Sequence, residues 1–218
     1  MTFEWSAFFD SFPGLMQGAR VTIMVALASL PIGLLAGAIV GVILTYAPRP
    51  LATIAQLYVG LIRGTPMIVQ IMFIFFALPV LLGVRMDGTT AGILALVVNS
   101  SAYLAEIVRG GLLSVPIGLQ EAGLAMGLPL RKVITHIVGP VAFRRMIPAL
   151  GNQFIIGLKD TSLLIVIGVG ELTRTGQEIM TDNYRAVEVW FAVAIIYLCI
   201  ISFMAAMFKV LERRIRIA

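Results

Sequence analysis

Long apolar runs alternate with short polar ones along the chain, and most of the runs are long enough to cross a lipid bilayer. A spanning helix needs about 20 mostly apolar residues. Val21 to Tyr46, Thr89 to Val108, Val141 to Leu158 and Val187 to Phe208 are of about that length or longer. Ala52 to Leu82 is too long for one uniform helix, and Arg63, Gly64, Thr65 and Pro66 interrupt it. A residue before proline avoids helical backbone, so a break is expected near Thr65, with the second span over Met67 to Leu82. In lipid each backbone N–H and C=O must be paired within its own segment, which makes the runs helices. None alternates strictly as barrel strands do. The expected fold is all-α, a polytopic membrane protein of five transmembrane helices, with residues 1–218 as a single domain. Composition agrees: 60% of residues are hydrophobic, 12% are charged and the mean hydropathy is +1.01. A soluble chain of this length has no core large enough for that apolar surface.

The remaining segments are read by their polarity. Met1 to Gly18 has aromatics but no basic residue ahead of them, so it is not a signal peptide. It is expected to lie as an amphipathic segment in the interface, with Trp5 at headgroup depth. Gly33, Gly37 and Gly41 are four apart, a small-residue stripe for close packing within the chain or for a dimer seam. Pro48, Arg49 and Pro50 make a tight turn, Gly83 to Gly88 a short loop, and Gly170 to Ala186 a polar loop. Glycine (21) and proline (10) are frequent, as expected where helices pack closely or break.

The formal charge is +5, but its placement is more informative than its sum. With the 119–140 stretch and the C-terminal tail in the cytoplasm, that side receives Arg49, Arg109, Arg131, Lys132, Arg144, Arg145, Lys209, Arg213, Arg214 and Arg216. The other side receives Arg20, Arg85, Arg174 and Arg185. This excess places the N-terminus outside and the C-terminus in the cytoplasm. The chain has no visible internal duplication and is small for enclosing a transport path with its own pseudo-symmetry. A second copy is therefore expected, with a symmetric homodimer as the default.

No catalytic set is present. The one histidine, His136, stands among basic residues in the polar stretch. The one cysteine, Cys199, lies in an apolar run and reads as a core residue. There is no phosphate loop, so ATP is not handled by this chain. No pair of histidines or cluster of cysteines suggests a metal. No cofactor is expected.

Two polar regions carry the functional expectation. Leu119 to Pro140 reads LQEAGLAMGLPLRKVITHIVGP. Glu121, Ala122 and Gly123 are expected to open a short helix that Gly127 closes in the left-handed conformation. Pro129 suits the first turn of a second short helix with Arg131, Lys132 and His136. Such a knuckle between spans is either an ordinary cytoplasmic loop or a docking element. The second region lies within the spans, where ionisable groups usually face a cavity or a partner. Asn99, Tyr103 and Glu106 share one helix face, with Ser100 beside them. Gln153, Gly157 and Asp160 share another, with Asn152 and Lys159 on a neighbouring stripe. These are candidates for substrate contact, or simply interhelical hydrogen bonds and a Lys159–Asp160 pair. Asp160, Thr161 and Ser162 are good N-cap residues for a short helix over Leu163 to Val169. Its free N–H groups would suit a carboxylate, and an amino acid would present its other groups to Asn99, Tyr103 or Gln153.

The polar stretch resembles the EAA loop of the membrane subunits of ATP-binding-cassette (ABC) importers. That pattern is E-A-A, three residues, G, nine residues, I, one residue, L-P. Here stand Glu121, Ala122, Gly123, Gly127, Ile137, Gly139 and Pro140, with the spacing intact and Gly123 and Gly139 as departures. RGTP at Arg63 to Pro66 with Gln70, NSSAYLAEIVRGG from Asn99, GNQFIIGLKDTSL from Gly151 and ELTRTGQEI from Glu171 are similar to the polar-amino-acid branch, and to its glutamine permeases in particular. The resemblance implies a type I ABC importer transmembrane fold in a bacterial inner membrane. It implies that Glu121, Ala122, Gly123, Gly127, Arg131 and Lys132 couple to an ABC ATPase dimer that binds ATP and magnesium, and that an extracytoplasmic binding protein delivers substrate. Substrate contacts would come from Asn99, Ser100, Tyr103, Gln153, Lys159, Asp160, Thr161 and Ser162. The implied substrate is glutamine: arginine-type importers line the intramembrane pocket with an acid, whereas here the amide Gln153 stands on the candidate face. The alternatives are histidine, arginine or glutamate, or an ion-coupled secondary carrier, which has no need of the knuckle.

Overall fold

A computed structural model describes residues 3–215, and all regular structure among them is helical. Met1, Thr2 and the final residues, Arg216 among them, lie outside the described residues. We number the helices α1 (Trp5–Tyr46), α2 (Arg49–Arg63), α3 (Met67–Leu82), α4 (Gly88–Leu113), α5 (Ile117–Ala125), α6 (Leu130–Ile167), α7 (Leu172–Asn183) and α8 (Ala186–Ile215). Helices α1, α4, α6 and α8 are each long and apolar enough to span a membrane. The pair α2–α3, bent by 102° at the Gly64–Pro66 break, is long and apolar enough to count as a fifth when taken together. The break expected near Thr65 is there.

Four local expectations are corrected. The aromatic N-terminal segment is not separate from the first span: α1 runs unbroken through Pro13 and Pro31 for 42 residues. At 1.5 Å per residue it is about 63 Å long, well beyond the roughly 30 Å hydrocarbon core. The polar loop over Gly170 to Ala186 contains a 12-residue helix, α7. Its N-cap is Glu171, a wholly buried carboxylate that accepts from the backbone N–H of Thr173 (2.9 Å) and Arg174 (2.8 Å) and from the Tyr197 hydroxyl (3.0 Å). Burial pushes this carboxyl up, and those donors hold it back. Polarity marked the segment as a loop, whereas the buried cap makes it a helix. Cys199 is exposed on α8, not in the core; hydropathy does not tell a core-facing position from a lipid-facing one.

The fourth correction concerns the half-helix. Helix α6 does not stop at the KDTSL sequence. Its α-helical part, Gly139–Asp160, passes directly into a 3₁₀ turn over Thr161–Ile167, and Asp160 itself has helical φ and ψ and caps nothing. The Thr161 hydroxyl donates back to the Leu158 carbonyl at 2.7 Å. The Thr161 N–H, which a fresh helix would have offered to a carboxylate, donates to the Leu158 carbonyl of the continuing one.

Proline explains two other irregularities. The π turns Phe73–Ala77 and Ile134–Val138 stand just ahead of Pro79 and Pro140. A proline inside a helix removes one donor and clashes with the carbonyl four residues back. A widened turn absorbs the misfit. Besides Glu171, one other N-cap side chain is bonded to its helix among the described residues. Asp87 opens α4 by accepting from the N–H groups of Thr89 and Thr90 at 3.0 and 3.1 Å, and with the Thr90 hydroxyl these donors hold its carboxyl below the usual range.

The glycine stripe settles on its intrachain role. Helix α1 lies along α4 so closely that a Cβ on Gly37 would stand 2.7 Å from Leu104 Cβ and 2.7 Å from the Ser101 carbonyl oxygen. One on Gly41 would meet the Ala105 carbonyl oxygen and Val108 Cβ, both at 2.7 Å. Without a hydrophobic drive between helices in lipid, this close packing is what binds them. The pair forms the centre of the fold, with α6 against α4 and α7 and α8 against α1. Overpacking a well-fitted interior costs about 1–3 kcal/mol. Gly37→Val is expected to lower the unfolding temperature of the detergent-solubilised protein, while Gly60→Ala on α2, where a Cβ meets nothing within 4 Å, leaves it in place. An unchanged midpoint in Gly37→Val would show that the α1–α4 contact is not limiting.

Candidate functional site

The bend between α2 and α3 leaves carbonyls at the end of α2 without helical donors. Gln70, 8% exposed on α3, supplies them. Its Nε2 donates to the carbonyl oxygens of Ile62 (2.7 Å) and Thr65 (3.1 Å) and to Thr65 Oγ1 (2.9 Å). Its Oε1 accepts from Asn99 Nδ2 at 3.0 Å. One side chain thus fixes the corner and ties it to α4.

A cavity of about 590 Å³ opens at this corner. Arg63, Gly64, Thr65, Pro66 and Met67 line it from the bend, Asn99 and Tyr103 from α4, and Gln153, Ile156 and Asp160 from α6. The two polar faces expected from helical spacing, Asn99 with Tyr103 and Gln153 with Asp160, line the same cavity. Asn99 and Gln153 are nearly buried, and Asp160 is half-buried. The Arg63 guanidinium lies over the Tyr103 ring, 5.4 Å from its centroid, in reach of a cation–π attraction. The wall therefore carries one cation, one anion and two carboxamides, a set matched to a small zwitterion with a polar side chain.

Other candidates fall outside it. Ser100 is buried behind the wall and donates to the Leu96 carbonyl. Thr161 is wholly buried and bonded to its own helix, and Ser162 does not line the cavity. Lys159 is exposed on another side of α6, and no ion pair joins it to Asp160 among the described residues. Consecutive residues on a helix point about 100° apart, which is why the two part company. Glu106 pairs with Arg109 on its own helix at 2.8 Å. Two residues of the corner were missed as site residues. Arg63 was read as an interruption, and Gln70 acts across a break where no helical period relates it to its partners.

The knuckle has its turn at Gly127, whose φ of +79° is left-handed. Leu128 N–H donates to the Gly123 carbonyl at 3.2 Å, and Gly127 N–H to that of Leu124 at 2.9 Å. This pair of bonds is a Schellman ending for α5. Glu121, Ala122 and Gly123 stand inside α5, not at its start, and the following segment is no separate helix but the first turns of α6, with Arg131 and Lys132 exposed on it. Gly123 is buried: a Cβ there would stand 2.8 Å from Ile137 Cδ1 and 3.0 Å from Val133 Cγ2. Glycine at this departure from the EAA pattern lets α5 close down on α6. Leu119, Leu124, Met126 and Leu130 remain exposed around the turn, Met126 by 80%.

The family model described as "Binding-protein-dependent transport system inner membrane component" matches residues 13–217. The glutamine transport system permease protein GlnP of Escherichia coli strain K12 is 46% identical over 218 residues, the whole of both chains. The arginine transport system permease protein ArtQ of Bacillus subtilis strain 168 is 31% identical over 99% of each. Among solved structures, an amino acid ABC transporter crystallised with histidines superposes with a TM-score of 0.90 at 32% identity, covering 98% of this chain and 100% of that one. The MetNI methionine ABC transporter, in inward-facing conformations, shares the fold with a TM-score of 0.83 at 22% identity over 94% of this chain and 97% of that one. With the model matching nearly the whole length, the chain belongs to the family of inner-membrane components of binding-protein-dependent transport systems.

Proposed function

We propose that this chain is the membrane subunit of an ATP-driven importer of a polar amino acid, glutamine first, and that the cavity at the α2–α3 corner receives the substrate. The observation that carries the reading is the cavity wall, which sets Arg63, Asp160, Asn99 and Gln153 around one space of suitable size. Identity to the glutamine permease along the full chain supports the choice of amino acid. A separate ATPase pair binds ATP and magnesium and docks on the exposed turn at Gly127, where Glu121, Ala122, Arg131 and Lys132 are accessible. A binding protein delivers the substrate from outside. A second copy completes the pathway, and a mass for the assembled complex with only one permease chain would refute that. The N-terminus lies outside and the C-terminus in the cytoplasm. In a Cys199→Ser background, a cysteine at Asp182 then reacts with an impermeant thiol reagent from outside and one at Lys132 only from inside; a reversed label contradicts the orientation.

The test of function is uptake into vesicles holding the assembled transporter, with a panel of labelled amino acids and the binding protein supplied. Glutamine is expected to accumulate only with ATP. Preferred uptake of histidine, arginine or glutamate would replace glutamine, and uptake driven by an ion gradient without ATP would refute the reading.

Two variants separate the roles. Because Asp160 caps nothing, its carboxylate is left to hold the substrate ammonium. Hydrogen bonds to charged groups contribute about 1.5–3 kcal/mol, so Asp160→Asn is expected to weaken substrate binding about tenfold to a hundredfold. Parent affinity in that variant would remove Asp160 from the site. Gly127→Val forces a β-branched residue into a left-handed φ, at a cost of roughly 1–2 kcal/mol. It is expected to insert and to bind substrate, yet to lose transport and substrate-stimulated ATP hydrolysis. Normal coupling would rule out docking at this turn.

A further inference from the structure

The corner residue Gln70 does more than hold the bend. We propose that Gln70 is a positioning residue that fixes which atom of Asn99 faces the cavity, and thereby makes the cavity favour a ligand carboxamide N–H over a carboxylate oxygen. This rests on the reading of the cavity as the substrate site.

Donors and acceptors at the corner decide how the Gln70 amide is turned. The backbone carbonyls of Ile62 and Thr65 only accept hydrogen bonds. Thr65 Oγ1 spends its own hydrogen on the Leu61 carbonyl at 3.0 Å, so toward Gln70 it too accepts. Three acceptors therefore face one end of the Gln70 amide, and only Nε2 satisfies them. Turning the amide over would set Oε1 against three oxygens in a nearly buried place, where unpaired polar groups are costly. Oε1 must then point the other way, toward Asn99.

Asn99 is bound by the same logic. Only its Nδ2 can donate to Gln70 Oε1, and it does so at 3.0 Å. Its side-chain carbonyl, Oδ1, is left for the cavity that Asn99 lines. A freely turning asparagine would serve a ligand amide or a ligand carboxylate equally well. One locked by Gln70 has one Nδ2 hydrogen committed and its Oδ1 held toward the cavity, and that oxygen pairs with an N–H and repels a carboxylate oxygen. Glutamine and glutamate have nearly the same shape, so pocket size does not separate them. A site built to hydrogen-bond a particular group rejects the analogue lacking it far more strongly than shape alone does.

The test measures direct binding of L-glutamine, L-glutamate and L-glutamate γ-methyl ester to the solubilised, assembled transporter, with no binding protein present. The ester keeps the carbonyl but has no N–H on the side chain. The parent is expected to bind glutamine at least about tenfold more tightly than the ester or glutamate. Equal binding of the ester overturns the proposal and needs no variant. In Gln70→Met, Asn99 is released, and the glutamine-to-glutamate ratio is expected to fall toward one. Ile71→Ala trims a wholly buried contact of α3 that does not line the cavity and loosens the corner but leaves Asn99 locked, so the ratio is expected to stay. If both variants change the ratio alike, Gln70 only braces the bend and the proposal fails. Asn99→Leu separates the two levels: unchanged glutamine binding in that variant refutes the cavity as the substrate site. Lost binding there, together with a parent ratio in Gln70→Met, refutes only the positioning role.

Discussion

A 102° bend inside the apolar part of the chain leaves backbone carbonyls with no helical partner. The Gln70 side chain answers that need. Its amide has two hydrogens for three acceptors at the corner, and its oxygen is tied to Asn99 on α4. The bend, the position of α3 against α4 and the polar wall of the cavity all hang on this one carboxamide. Remove it and the corner has carbonyls to bury with no donor, a penalty of the size that reorganises local structure.

The corner needs a rigid frame to be tied to, and α1 with α4 provides it. Gly33, Gly37 and Gly41 let α1 approach α4 nearly to backbone contact along several turns. Close packing of this kind is stiff because side chains have no room to rearrange. The same frame fixes α6 through α4, which brings Gln153 and Asp160 opposite Asn99 and Tyr103. The turn at Gly127 leads into the start of α6, so under the proposed docking a push there passes along that helix to the wall that holds Asp160. On the proposed function, the docked ATPase and the substrate cavity lie at two levels of this one helix and are joined through it.

Much of this was legible from residues alone, and the failures have physical causes. Spans followed from hydropathy, because lipid demands apolar length. The Thr65 break followed from proline, and the left-handed Gly127 from its place at a helix end. The pairing of Asn99 and Tyr103, and of Gln153 and Asp160, followed from the 3.6-residue period. What periodicity could not supply was the fate of KDTSL. Asp, Thr and Ser are good caps in isolation, but Thr161 bonds back to Leu158 and the helix runs on. Nor does a period reach across a bend, so the Gln70 contacts with Ile62 and Thr65 were invisible. Polarity alone took α7 for a loop, because the buried Glu171 that caps it is charged like any surface residue. The exposed position of Cys199 was hidden for the opposite reason: core and bilayer are both apolar.

The central claim is that the Gln70-braced corner builds the chamber in which the transported amino acid rests. The direct measurement is cryo-electron microscopy of the assembled transporter in lipid with saturating L-glutamine, compared with the same complex without it. The account predicts ligand density in the cavity between Asn99, Gln153 and Asp160, with Gln70 still bonded to Ile62 and Asn99. Ligand density elsewhere in the complex, with this cavity unchanged between the two maps, would contradict it.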